Sequence, residues 1–143
     1  MRAAVSARLD LALRNDVGEI ARARPALAAF LQAIGASRNG ADVAHLAFEE
    51  IVTNIIKYGD AAGAAGGIAV GLDVEGTCLR IDFRDRGVAF DPTAQPPPEV
   101  PATLGESRVG GLGLHLVRQF AEEISYRREG DTNHLTVRIR IDR

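Results

Sequence analysis

The sequence predicts an α+β protein: a two-layer sandwich whose mixed, mostly antiparallel sheet carries its helices on one face. Three observations predict it. About five segments alternate apolar and polar residues, the period of two that a half-buried strand requires. Four of these segments fall into two pairs joined by short turns, which makes two hairpins. The other ordered segments repeat apolar residues at helical spacing, and a sheet with one wet face buries its other face under such helices.

Val5, Ala7, Leu9, Leu11 and Leu13 alternate with Arg8, Asp10 and Ala12, a first strand over Val5–Leu13. Asp16 followed by Glu19 reads as a helix start, and Val17, Ile20, Leu27, Leu31 and Ile34 continue at helical spacing to Gly35. Pro25 within this run predicts a kink or a restart. A second helix is expected from about Asp42 to Tyr58, stopped by Gly59, with Ala44, Phe48, Ile51 and Ile55 on its buried stripe. Glu50, Asn54 and Lys57 form a separate polar stripe beside it.

Ile68, Val70, Leu72 and Val74, then Leu79, Ile81 and Phe83, alternate on either side of Glu75-Gly76-Thr77, the first hairpin. Its second strand delivers the chain to Asp85. After a proline-rich stretch, Gly111 to about Glu122 reads as helix. The second hairpin runs from Ile124 to Arg128, turns at Glu129-Gly130-Asp131, and returns through Leu135, Val137, Ile139 and Ile141.

Composition bounds the function. The chain has 143 residues, 46% hydrophobic and 25% charged, enough for one domain over residues 1–143 and too few for two. Seventeen Lys and Arg against nineteen Asp and Glu leave a net charge of -2, without the basic surplus that nucleic-acid binding usually requires. The single cysteine, Cys78, allows no internal disulfide, and three scattered histidines make no metal cluster. No run of about 18 apolar residues is present and the amino terminus lacks a signal-peptide core, so a soluble, cytoplasmic protein is expected. Five of the six prolines fall between Pro92 and Pro101, just before a glycine cluster, which marks that segment as functional.

Three motifs carry chemistry. In Glu50-Ile51-Val52-Thr53-Asn54-Ile55-Ile56-Lys57, the i, i+4 and i+7 positions align a carboxylate, an amide and an ammonium. Asn54 can offer its carbonyl oxygen to Mg²⁺, Lys57 can meet phosphate charge, and Glu50, one turn away, can accept a proton from an attacking hydroxyl. The competing interpretation is a Glu–Lys surface pair with an incidental Asn. In Asp85-Arg86-Gly87-Val88-Ala89-Phe90-Asp91, an aspartate at a strand end can accept a hydrogen bond from the exocyclic amine of adenine, and Gly87 permits close backbone approach. Guanine presents a carbonyl there and would leave an acceptor unpaired, at about 1–3 kcal/mol; the alternative is an ordinary Asp-Gly turn. In Gly110-Gly111-Leu112-Gly113-Leu114, glycines open an apolar helix although each costs about 1 kcal/mol against alanine in a helix. Bare backbone N–H groups at a helix start bind phosphate, whereas a loop's general taste for glycine is the simpler account.

Taken together, E-x-x-x-N-x-x-K on a helix, D-x-G-x-x-F-D after a strand and G-G-L-G-L opening a helix resemble the Bergerat-fold ATPases, the superfamily of gyrase, heat-shock protein 90, histidine kinases and MutL. Within it the chain is similar to the small bacterial anti-sigma-factor serine/threonine kinases, over nearly its whole length. The resemblance implies that ATP and Mg²⁺ are bound, with Glu50 as general base, Asn54 as Mg²⁺ ligand and Lys57 as a phosphate contact. Asp85 would be the adenine acceptor and Gly87 its close-approach partner, with Gly110, Gly111, Leu112 and Gly113 around the phosphates. Arg108 would reach a terminal phosphate from an ATP lid of about residues 92–110.

The chain departs from histidine kinases in having Ala89 and Val109 where they usually carry glycines, and no phenylalanine-rich box lies between. These changes favour the anti-sigma branch. His45 and His115 read as structural and His134 as a strand or turn residue. The expected activity is phosphorylation of a serine or threonine on a small antagonist protein, in a partner-switching system that also involves a sigma factor and a homodimer. Two alternatives stand beside it: an ATP-responsive binding module without turnover, and a detached histidine-kinase-type ATPase domain.

Overall fold

The computed structural model describes residues 7–58, 67–94 and 112–143. Among them the chain runs β1 (Arg8–Leu13), α1 (Gly18–Ala33), α2 (Arg38–Tyr58), β2 (Ile68–Glu75) and β3 (Cys78–Asp85), then α3 (Leu112–Phe120), β4 (Glu123–Glu129) and β5 (Thr132–Arg140), with one 3-10 turn at Pro92–Ala94. The strands form one sheet in the order β1-β2-β3-β5-β4. All four neighbouring pairs are antiparallel, the limiting case of the mostly antiparallel sheet expected.

Strand parity builds the core. Leu72, Leu79, Ile81, Phe83, Val137 and Ile139 are at most 1% exposed, and they meet Leu27 and Leu31 of α1, Phe48, Ile51 and Val52 of α2, and Val117 of α3 in one cluster. The opposite face is polar. There Asp82 Oδ1 accepts a hydrogen bond from Thr136 Oγ1 and pairs with His134 Nε2, each at 2.8 Å, so His134 is a strand residue tied to a carboxylate.

The helix boundaries refine the expectations. Asp16 Oδ1 accepts the Gly18 N–H at 3.0 Å, while Glu19 reaches past it to the Arg14 N–H at 2.9 Å. The helix α1 does not restart at Pro25 but continues to Ala33. It closes with a Schellman turn, in which Gly35 at φ 71° lets the Ala36 N–H return to Leu31 O at 3.0 Å. Helix α2 starts at Arg38, four residues before Asp42, because Ser37 Oγ accepts the Gly40 N–H at 3.0 Å as an N-cap. That start lies on the end of β5: the Ser37 N–H donates to Ile141 O at 2.8 Å, and a Cβ on Gly40 would stand 2.7 Å from Arg140 O.

Candidate functional site

Parity on β3 and β5 carries two polar side chains onto the covered face. Asp85 continues the inward series Leu79, Ile81, Phe83, and Asn133 begins the series that continues through Leu135, Val137 and Ile139. Both are buried, at 8% and 6% exposure, and the register sets them opposite each other. Beside them opens a largely apolar slot. Its walls are Ile51, Asn54 and Ile55 of α2, Phe83 and Asp85 of β3, Phe90 and Pro92 from the segment after β3, Tyr126 of β4, and Asn133 and Leu135 of β5.

The polar groups are held from several directions. Asp85 Oδ2 accepts the Gly87 N–H at 2.9 Å and Asn133 Nδ2 at 3.2 Å. Asn133 Nδ2 also donates to Val88 O at 2.9 Å, and its Oδ1 accepts from Tyr126 Oη at 2.5 Å and Arg128 Nη1 at 3.1 Å. Asp91 Oδ1 accepts from the Thr93 N–H at 2.8 Å and Thr93 Oγ1 at 2.6 Å, fixing the turn that presents Pro92 to the slot. Such a slot, apolar on most sides with a buried carboxylate acceptor, suits a flat heteroaromatic ring bearing an amine.

Helix α2 separates the fates of the three residues that share its polar stripe in sequence. Asn54 is 8% exposed and lines the slot, so it belongs to the inward face rather than to a solvated one. Lys57 is exposed and lies outside the slot walls. Glu50 is half-buried against α3, and a Cβ on Gly113 would fall within its carboxyl group. Burial, with Glu49 second, pushes the Glu50 carboxyl above the ordinary glutamate range, and Lys57 only partly offsets this.

Other expected positions resolve differently. Gly87 serves Asp85 through its N–H, and its carbonyl accepts from Arg128 Nη1 at 2.7 Å. Gly113 makes room for Glu50. Leu112 begins α3, whereas Arg108, Gly110 and Gly111 lie outside the described residues, as does most of the expected lid. The first three residues of the expected lid, Pro92–Ala94, are a 3-10 turn, and of these Pro92 is buried in the slot wall.

Sequence reasoning missed Asn133, Tyr126 and Arg128, and gave no role to Phe90 although it stands in the D-x-G-x-x-F-D motif. The signal for the first two was parity: Asn133 sits two residues before Leu135 and Tyr126 two after Ile124, so both fall on the apolar face of their strands. A polar residue there needs a partner.

Among the described residues no group of three or more His, Cys, Asp or Glu side chains could hold a cation. The donor chemistry that fits one is the buried Asn54 carbonyl oxygen together with oxygens of a bound ligand, a setting compatible with Mg²⁺, which keeps few protein ligands. No helix among the described residues is long and apolar enough to cross a membrane.

The family model for the histidine kinase-like ATPase domain matches residues 13–139. Serine/threonine-protein kinase BtrW of Bordetella bronchiseptica is 32% identical over 92 residues, which is 64% of this chain and 65% of BtrW. The chain thus spans just under two thirds of that relative. The crystal structure of the RsbU and RsbW domains of Rv1364c from Mycobacterium tuberculosis matches with a TM-score of 0.68 at 20% identity, over 95% of this chain and 33% of that one. At that identity the likeness is one of fold.

Proposed function

Because the chain belongs to the histidine kinase-like ATPase domain family, we propose that it is an ATP-dependent serine/threonine protein kinase of the anti-sigma-factor type, acting as a single domain. Its substrate is a small antagonist protein, its second partner a sigma factor, and its working form a homodimer. The similarity to a serine/threonine-protein kinase supports the choice of acceptor.

The observation that carries the nucleotide reading is Asp85, a buried carboxylate whose Oδ2 already takes two N–H donors at the wall of an apolar slot. Adenine fits this slot with its amine on the remaining acceptor capacity of Asp85. Phosphates then extend along α2 toward Asn54 and the start of α3, with Lys57 and Arg108 as the cations nearest in sequence to that path. Mg²⁺, held by Asn54 Oδ1 and phosphate oxygens, would neutralise phosphate charge. Glu50 receives the proton of the attacking hydroxyl as its oxygen bonds the γ-phosphorus and the bond to the β–γ bridging oxygen breaks, releasing ADP. Its raised pKa supports this role, since a more basic carboxylate takes the proton more readily.

The test is transfer of radiolabel from ATP to candidate antagonist proteins, with Glu50→Gln alongside. Acid-stable label and loss of transfer in the variant are expected. Acid-labile label would point to a histidine acceptor, and binding without transfer to a nucleotide-responsive module. Undiminished transfer by Glu50→Gln would remove the general-base assignment.

A further inference from the structure

We propose that Asn133 is the residue that makes the slot selective for an amine-bearing purine, by fixing which way Asp85 presents its carboxylate. The inference rests on the adenine reading of Asp85. The two ends of an Asn side chain are distinguished by their partners. Here Oδ1 receives Arg128 Nη1 at 3.1 Å, a group that can only donate, and Tyr126 Oη at 2.5 Å. Its Nδ2 therefore faces two acceptors, Asp85 Oδ2 at 3.2 Å and Val88 O at 2.9 Å. Turning the amide over would set donor against donor at Arg128 and acceptor against acceptor at Asp85 and Val88, with only the Tyr126 hydroxyl able to adapt, at a residue only 6% exposed.

This locked amide acts on Asp85. Together with the Gly87 N–H at 2.9 Å it gives Oδ2 two donors, which leaves Oδ1 as the oxygen with spare acceptor capacity. Arg128 reinforces both contacts: the Nη1 that grips Asn133 also donates to Gly87 O at 2.7 Å, and Nε donates to Gly130 O at 3.0 Å. One guanidinium thus steadies the amide and the backbone that hold the same carboxylate oxygen. Without Asn133, Asp85 keeps the Gly87 N–H alone and can rotate, and the direction of its free oxygen is lost. Asn133 is a positioning residue, and its effect appears only with a ligand that has an amine to recognise.

The experiment is calorimetric titration of the whole chain with ATP and with purine riboside triphosphate, which lacks the exocyclic amine. The wild type is expected to favour ATP by about 30-fold or more, the scale of a buried hydrogen bond to a charged group. Asn133→Ala should bring the preference to within about threefold, chiefly by weakening ATP, because the lost contact is the amine's own. Tyr126→Phe and Arg128→Ala should reduce it in the same direction by less, and they carry the test if Asn133→Ala does not fold. A preference that survives all three substitutions, or equal weakening of both ligands, overturns the proposal. A wild type without preference fails the Asp85 reading itself, so the two failures are distinguishable.

Discussion

The Glu50 carboxyl group occupies the space that a Cβ on residue 113 would need. The bare Gly113 thus lets the first turn of α3 lie against a half-buried acid. A glycine read from sequence as phosphate-facing has, in the folded chain, a side-chain neighbour of its own. Gly113→Ala should lower phosphoryl transfer by about 100-fold or more, the usual worth of a positioned general base, with a much smaller change in ATP affinity by calorimetry. Alanine favours helix over glycine by about 1 kcal/mol, so fraying of α3 would not account for the loss. Rate and affinity falling in proportion would return Gly113 to the phosphates.

The pH dependence of transfer should report Glu50. Burial and the neighbouring Glu49 raise its pKa, and only the ionised form accepts a proton, so the acid limb of a single-turnover rate profile should lie above the ordinary glutamate range. Glu49→Gln removes a like charge and should move that limb down. Arg24 pairs with Glu49, so Arg24→Ala should move it up. A limb indifferent to both substitutions would show that another group controls it.

Glu19 should control acid stability. The Arg22 guanidinium and then the Arg14 N–H hold its pKa at about 2, against an ordinary value of 4.5. The folded chain therefore binds fewer protons than the unfolded one between these values. The contribution is complete above pH 4.5 and is lost as pH falls toward 2. Glu19→Gln should melt at lower temperature than wild type at pH 7, with the gap closing through that window. A gap independent of pH would exclude the ion pair as its source.

Two glycines in helices should respond to alanine with opposite sign. At Gly40 the new methyl would meet Arg140 O at 2.7 Å and Ile141 Cα at 2.9 Å. Both are backbone, so overpacking of about 1–3 kcal/mol should outweigh the helix gain of about 1 kcal/mol. At Gly18 the nearest atom is a side-chain oxygen at 3.5 Å, and Gly18→Ala should be neutral or slightly stabilising. Thermal melts of the two variants check the pair.

The sheet and the hairpins were legible because alternation and turn glycines are local signals, and Gly76 at φ 62° lies where the first turn was expected. Asp85 was legible as a site residue through its motif. Its support was not, because Asn133 follows it by 48 positions and becomes its neighbour only through the β3–β5 register. The early start of α2 was hidden because Ser37-Arg38-Asn39-Gly40 is polar and lacks helical periodicity, although Ser37 is a good cap. Asn54 was placed on a polar stripe because helical spacing ranks residues by angle and cannot say how far the sheet wraps around the helix.

The contact between Gly40 and Arg140 makes α2 a cantilever, clamped where it meets the end of the last strand. Asn54 lies fourteen residues from the clamp within one unbroken helix, about 21 Å along the axis at 1.5 Å per residue. A tilt of one degree at the clamp carries that amide about 0.4 Å, near the roughly 0.5 Å within which a working site must be held. The stiffness of the joint between Gly40 and the final strand, at the opposite end of the helix from Asn54, therefore sets the mechanical tolerance of the site.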